Sequence, residues 1–301
     1  MKKSLLALSL SLGFSASVWA AEPLPVLASF SILADITQQV GGERVAVNSL
    51  VGPNQDAHVY QPSPQDVKKL LASRVFVVNG LGFEGWIQRL TQSSQYRGQT
   101  VVASEKIKPL TVKNNHGHDH GHRHDHGKGV DPHAWHNPQH VIQYGHTIAQ
   151  ALAKADPAGA SYYQQRAQQF EQQLRQLDQS IEQQFAAIPV AQRKVITSHD
   201  AFSYLGQRYQ IRFIAPQGMS TESEASAASV AKLVKQIRQE KVKALFVENM
   251  ADQRLLQQIS QETSVKIGGK LYSDALSAGA PAGSYIELMQ YNAKNLASAL
   301  Q

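Results

Sequence analysis

Six histidines fall on alternate positions of one short run, His116, His118, His120, His122, His124 and His126, with Gly, Asp and Arg between them. Neutral imidazole is the commonest protein ligand for zinc, and a tract this dense offers little other chemistry. No apolar side chain interrupts it. It can supply neither the apolar stripe of a helix nor the apolar face of a strand, so residues 114–129 read as a solvated loop that captures metal. An affinity tag is the plain alternative. A tag normally sits at a terminus and lacks the Gly and Asp interleaving.

Four other side chains that can ligate a metal each stand just after a β-like run. They are His58 in DAHVYQPSP, His133 in DPHAWHNP, His199 in TSHDAF and Asp274 in LYSDALS. In parallel α/β sheets, ligands bind beyond the carboxyl ends of the strands. Any one of these residues alone reads as a surface or capping residue. Their joint placement, two in each half of the chain, points to three imidazoles and one carboxylate converging in a cleft, a natural tetrahedral zinc set. His136 and His140 sit at a helix start and are expected to face solvent or pack on the cap. His146 falls within the helix and is expected to be a surface or packing residue. Asp200 and Glu248 read as partners of the ligands or as strand-end caps.

Positioning these residues requires alternating strands and helices, and the chain shows that alternation twice. In the first half the strands are VLASF (26–30), RVAVNSLV (44–51), VFVVN (75–79) and TVVA (100–103). Ser63-Pro64 and Asn137-Pro138 open helices, each with a capping side chain ahead of a proline at the first helical position. In the second half the strands are KVIT (194–197), IRFIA (211–215), ALFVE (244–248) and VKIGGKL (265–271), with helices over 201–209, 226–240, 252–263 and 284–300. Thr221 and Glu224 have the spacing of a capping box ahead of the second of these helices. Between the halves, Tyr163, Ala167, Phe170, Leu174, Leu177, Ile181 and Phe185 recur at steps of three and four. That spacing predicts one amphipathic helix over 157–187, roughly 45 Å long at 1.5 Å per residue, able to span two lobes. The fold class is α/β: two parallel-sheet lobes joined by one long rigid helix, with the metal site in the cleft between them. The expected division is a signal peptide over 1–20, a first lobe over 21–156, the linking helix over 157–188 and a second lobe over 189–301.

Residues 1–20 carry Lys2 and Lys3, an apolar run from Leu5 to Val18, and small residues at Val18 and Ala20, the pattern of a cleaved export signal. There is no cysteine, which leaves no thiolate metal site, no disulfide and no N-terminal Cys to carry a lipid. The expectation is a periplasmic protein without a lipid anchor. Without Lys2 and Lys3 the formal charge of +6 becomes +4, spread along the chain with no basic stripe, so nucleic acid is not an expected partner. No HExxH or other base-bearing motif is present, which counts against a zinc hydrolase.

The segments DAHVYQPSPQD, NGLGFEGW, DPHAWHNP, TSHDAFSYL, LFVEN and GGKLYSDALS resemble the metal-receptor family of periplasmic solute-binding proteins, in particular its zinc-uptake branch, where a comparable His-rich loop stands at this place. The resemblance covers essentially the whole mature chain. It implies two α/β lobes joined by a rigid helix, and a monomeric receptor that hands its ion to the membrane permease of an ABC importer. It places the ligands on His58, His133, His199 and Asp274. The third ligand tends to be Glu in the manganese relatives, so His199 implies Zn²⁺, with a manganese or mixed-metal receptor as the alternative. Some zinc members carry an acidic residue just before the first ligand, where this chain has Ala57. That leaves Asp274 or a water as the fourth ligand.

Overall fold

The computed structural model describes residues 22–112, 129–240 and 242–301. The expected signal peptide over 1–20 and the histidines from His116 to His126 lie outside the described residues. In chain order the first half holds β1 (Leu24–Phe30), α1 (Ser31–Gly41), β2 (Val45–Val51), α2 (Pro64–Ala72), β3 (Val75–Val78), α3 (Ile87–Ser94) and β4 (Gln99–Val102). A two-residue antiparallel pair, β5 (Thr111–Val112) and β6 (Gly129–Val130), brackets the His-rich segment and was not foreseen. Next come α4 (Pro138–Ala155) and α5 (Ala160–Ala186). The second half holds β7 (Lys194–Ile196), α6 (Ser203–Tyr209), β8 (Arg212–Ile214), α7 (Ala227–Glu240), β9 (Ala244–Glu248), α8 (Arg254–Thr263), β10 (Ile267–Leu271) and α9 (Tyr285–Leu300).

The strands form two four-stranded sheets, ordered β2-β1-β3-β4 and β10-β9-β7-β8, and every pairing in both is parallel. Central parallel strands are covered on both faces, so they read as unbroken apolar runs. VFVV in β3 and ALFVE in β9 are buried at every position, including the charged residue that ends β9, Glu248. Among the described residues, no helix is long and apolar enough to cross a membrane.

Local chemistry accounts for the helix starts that matter to the site. Ser63 and Asp66 form a capping box at α2, with Pro64 at the first helical position. The Asn137 side chain accepts from the Gln139 amide at 3.0 Å, again ahead of a proline. The expected Thr221–Glu224 capping box does not form. Helix α7 starts only at Ala227, where Ser226 Oγ accepts from the Ser229 amide at 3.1 Å. Thr221 uses its hydroxyl elsewhere, on Asp56. The spacing was right for a cap, but the helix begins too late to use it.

The long helix opens with a 3₁₀ turn over Pro157–Gly159 and then runs 27 residues as α5, about 40 Å at the α-helical rise. Its apolar stripe is buried from Tyr163 to Phe185. One apolar core runs without a break from the first sheet, through this helix, to α9 and part of the second sheet. A smaller cluster lies among the second sheet, α7 and α8. The two halves therefore share a core as well as a connecting helix.

Asp178 breaks the apolar stripe and is buried. Its carboxylate accepts from Gln139 in α4 at 2.6 Å, from Tyr209 in α6 at 2.8 Å, and from Arg208 at 2.8 and 3.0 Å. Burial pushes this carboxyl up, but the bonds from Arg208, Gln139 and Tyr209 outweigh it and hold the group below the ordinary aspartate range. A depressed carboxyl adds stability that is present above its unfolded pKa and is lost as pH falls through the folded value. Asp178→Ala is expected to destabilise the fold by about 3 kcal/mol, because it strands a partly buried guanidinium and a buried phenol. Denaturant unfolding at neutral pH checks the magnitude. The gap between variant and wild type should close in acid, below the ordinary aspartate pKa.

Candidate metal centre

The four strand-end residues foreseen from sequence come together. One nitrogen each from His58, His133 and His199 and one oxygen from Asp274 all lie within 4.8 Å of one another. His58 follows β2 and His133 follows β4 and the β5–β6 pair. His199 follows β7, and Asp274 follows β10. His58 Nε2 stands 3.3 Å from His133 Nε2 and 3.3 Å from Asp274 Oδ2. His199 Nε2 is 3.1 Å from Asp274 Oδ2, and His133 Nε2 is 3.6 Å from Asp274 Oδ1. His133, His199 and Asp274 are fully buried, and His58 is 6% exposed.

Neither oxygen of Asp274 has a hydrogen-bond partner, and neither ring nitrogen of His199 has one. The contacts between them are close but not aligned as hydrogen bonds. A buried carboxylate without a donor is costly unless a positive charge faces it. Burial pushes the Asp274 carboxyl up, and the His199 and His133 imidazoles more than reverse this, holding it well below its ordinary range. Burial pushes the His199 imidazole down, but the Glu248 and Asp274 carboxylates outweigh that and raise it well above its ordinary value. The pocket is built for positive charge.

Two of the imidazoles have a carboxylate behind them, hydrogen-bonded at His133 and in close ionic contact at His199. His133 Nδ1 meets Asp131 Oδ1 at 2.8 Å, and the His133 amide donates to the same oxygen at 2.9 Å. His199 Nδ1 stands 2.6 Å from Glu248 Oε2, while Glu248 Oε1 accepts from the Ser198 and His199 amides at 2.8 and 3.0 Å. A carboxylate on one ring nitrogen fixes the tautomer and turns the other nitrogen toward the ion. Glu248 thus takes one of the two roles expected of it. Among the described residues, the Asp200 side chain makes no hydrogen bond to the site histidines. It accepts from Ser203 Oγ at 3.0 Å near the start of α6.

Sequence reasoning missed Asp131, although the spacing Asp-x-His was legible there. It also missed Glu84, which is buried and holds the loop after β3. Glu84 accepts from Ser29 Oγ at 2.6 Å and from the Asn79 amide at 2.7 Å. That loop carries Phe83, whose ring lies edge-on to His58 at 4.6 Å between centroids. His136 does not face solvent. It is fully buried, 4.6 Å from the Phe202 ring, and burial, reinforced by the nearby His133, pushes its pKa down to about 3. A helix-start position said nothing of the second half folding over it. His140 lies edge-on to Tyr204, and His146 meets Glu171 at 2.9 Å. Ala57 is buried, and its carbonyl accepts from Trp86 Nε1 at 2.8 Å.

Comparison with known proteins places this geometry. The family described as "ZnuA: Zinc-uptake complex component A periplasmic" matches residues 26–299. The chain belongs to this family. It is 30% identical to the manganese-binding lipoprotein MntA of Halalkalibacterium halodurans, over 93% of this chain and 89% of that one. It is 31% identical to the metal ABC transporter substrate-binding lipoprotein SloC of Streptococcus mutans, over 92% and 90%. The periplasmic zinc binding protein TroA of Treponema pallidum superposes with a TM-score of 0.84 at 27% identity, over 92% of this chain and 99% of that one.

The protein is therefore a metal-binding substrate receptor of an ABC transporter and not an enzyme. It works with a membrane permease. One expectation is overturned. The reading of a chain without a lipid anchor conflicts with the relatives, MntA and SloC among them, that are named lipoproteins. The missing cysteine spoke only to attachment through a Cys thiol, which is a narrower matter than membrane anchorage.

Asp131→Asn and Glu248→Gln are each expected to weaken metal binding by about 10- to 100-fold while leaving the four proposed ligands in place. Calorimetric titration of the purified variants measures this. Wild-type affinity in both would reduce these carboxylates to mere fold-holding groups.

Proposed function

We propose that the protein captures Zn²⁺ through His58, His133, His199 and Asp274 and delivers it to its ABC importer. The observation that carries this reading is the sealed cluster of three imidazole nitrogens and one partnerless carboxylate. Zinc held tetrahedrally at about 2.0–2.1 Å sets neighbouring donors about 3.3 Å apart. Four contacts between 3.1 and 3.6 Å, three of them to one or the other Asp274 oxygen, lie near that spacing, and the whole set closes within 4.8 Å. A set with three nitrogens also favours zinc over the harder Mn²⁺, which suits oxygen donors. The His-rich run over 114–129 is proposed as a weaker, faster-exchanging collector, on its density of imidazoles alone.

Manganese is the second reading, and a specific observation favours it: MntA and related proteins similar to this chain are named for manganese. Thermal unfolding with either ion at equal concentration separates the two. A ligand that binds only the folded state stabilises it by RT ln(1 + [L]/Kd). Zn²⁺ is expected to raise Tm well beyond Mn²⁺, and equal or reversed shifts would assign the protein to manganese. His133→Ala and His199→Ala should each abolish most of the zinc effect. Deleting 114–129 should remove weak equivalents and keep the tightest one.

Proton linkage gives an independent check. In the metal-free protein His199 holds its proton to a pH above the ordinary imidazole value of about 6.5. Its ion pairs with Asp274 and Glu248 therefore add stability that is complete below about pH 6.5 and lost as pH rises through the raised value. An incoming ion must displace that proton. Affinity should fall as pH drops, by about tenfold per unit for one proton, in a window that starts above pH 6.5. Calorimetry in buffers of differing ionisation enthalpy counts the proton released.

A further inference from the structure

Asp56-Ala57-His58 and Asp131-Pro132-His133 share one spacing and one turn. In each, the histidine amide donates to Oδ1 of the aspartate two residues before it, at 2.9 Å in both cases. The two aspartates then diverge. Asp131 also meets its own histidine's Nδ1, so that imidazole is aimed from within its loop. Asp56 makes no hydrogen bond to the His58 ring. Its Oδ2 instead accepts the hydroxyl proton of Thr221 at 2.6 Å, from the segment that leads into α7 in the other half of the chain.

His58 is thereby unlike the other two imidazoles. His133 has Asp131 behind it and His199 has Glu248, but His58 has no carboxylate on Nδ1 among the described residues. It is also the most exposed of the three. It borders a cavity of about 370 Å³ that Tyr60, Arg89 and Glu222 also line. Its backbone is held from both sides. Trp86 Nε1 grips the Ala57 carbonyl from the first half. From the second half, the Leu276 carbonyl accepts from the Asn54 amide at 2.9 Å, and Asn249 Nδ2 donates to Asn54 Oδ1 at 3.0 Å. Of these, only the Asp56–Thr221 bond reaches a carboxylate that itself holds the His58 amide.

We infer that Thr221 is a positioning residue for His58: its hydroxyl, through Asp56, ties the one of the three site imidazoles with no carboxylate on its Nδ1 to the opposite half of the protein and so sets how long the ion is retained. This rests on the proposed ligand role of His58. A hydroxyl donating to a carboxylate at this distance is a charge-assisted bond, about twice as strong as a neutral one. Without it, the His58 loop keeps its turn and loses its cross-lobe anchor. His58 is then the ligand freest to swing away and open the ion to water. Such a change acts on escape more than on capture, as most tuning of related complexes does.

The test follows zinc release from the Zn²⁺-loaded full chain into excess chromogenic chelator by stopped flow. Thr221→Val deletes the hydroxyl at nearly constant volume, and Thr221→Ser restores a hydroxyl. Thr221→Val is expected to release zinc about tenfold faster, the scale of one lost charge-assisted bond. Thr221→Ser should release it near the wild-type rate. In a His58→Ala background, Thr221→Val should add nothing, because the group it positions is gone. Wild-type release from Thr221→Val beside fast release from His58→Ala overturns the positioning role alone. Equal acceleration by Thr221→Val with and without His58 overturns it too, since the bond then acts on the fold and not through that imidazole. Wild-type release from His58→Ala overturns the ligand assignment, and the positioning role with it.

Discussion

The Asp274 carboxylate lies sealed from water, with no hydrogen-bond donor and three imidazole nitrogens around it. An isolated buried carboxylate costs many kcal/mol, so it must neutralise, acquire a proton-bearing partner or acquire a cation. Here the partner is the raised imidazole of His199, and on the proposed reading an arriving ion would displace that proton. Much of the architecture serves this exchange. A pocket dry enough to hold an ion tightly is also dry enough to penalise its own empty state. Converting that penalty into affinity requires all four donors to be in place before the ion arrives.

That placement comes from the two sheets. Each contributes two donors from beyond the carboxyl ends of its strands, where backbone groups are free to turn and side chains converge. The shared core and α5 keep the sheets facing each other. Direct bonds also cross the junction. Trp135 Nε1 donates to the Ser273 carbonyl at 2.9 Å, and Tyr285 donates to the Trp135 carbonyl at 2.7 Å. Asp178 links α4, α5 and α6 through one carboxylate. A site assembled across such a junction senses any relative motion of its halves, and His58, with the fewest constraints on its ring, would sense it first.

The parallel strands and most helix starts were legible because their signals are local. Continuous apolar runs mark buried parallel strands, and Ser-Pro or Asn-Pro pairs mark helix entries wherever they fall in the fold. The site was legible for a related reason: strand ends can be read from strands, and His or Asp just beyond them is a short list. What stayed hidden depends on neighbours far away in sequence. Thr221 looked like a helix cap because Thr-x-x-Glu is a cap spacing, yet its true partner is 165 residues earlier. His136 read as facing solvent or packing on the cap from its helix-start position, and its burial against Phe202 rules out solvent.

From the sequence alone follow the α/β class and the four candidate donors, with the nitrogen-rich character of that set, because residue type and local periodicity point to all of these. The sequence also contains both Asp-x-His turns, in which each aspartate accepts from the histidine amide two residues on. Tertiary structure alone decided that Asp131 aims its histidine while Asp56 turns to Thr221, that Glu248 stands behind His199, and that Asp274 is left without a donor. Those are questions of which side chains meet after the chain has folded. A short-range pattern constrains each side chain's own turn, and only the packing of two sheets against one another settles what stands on its far side.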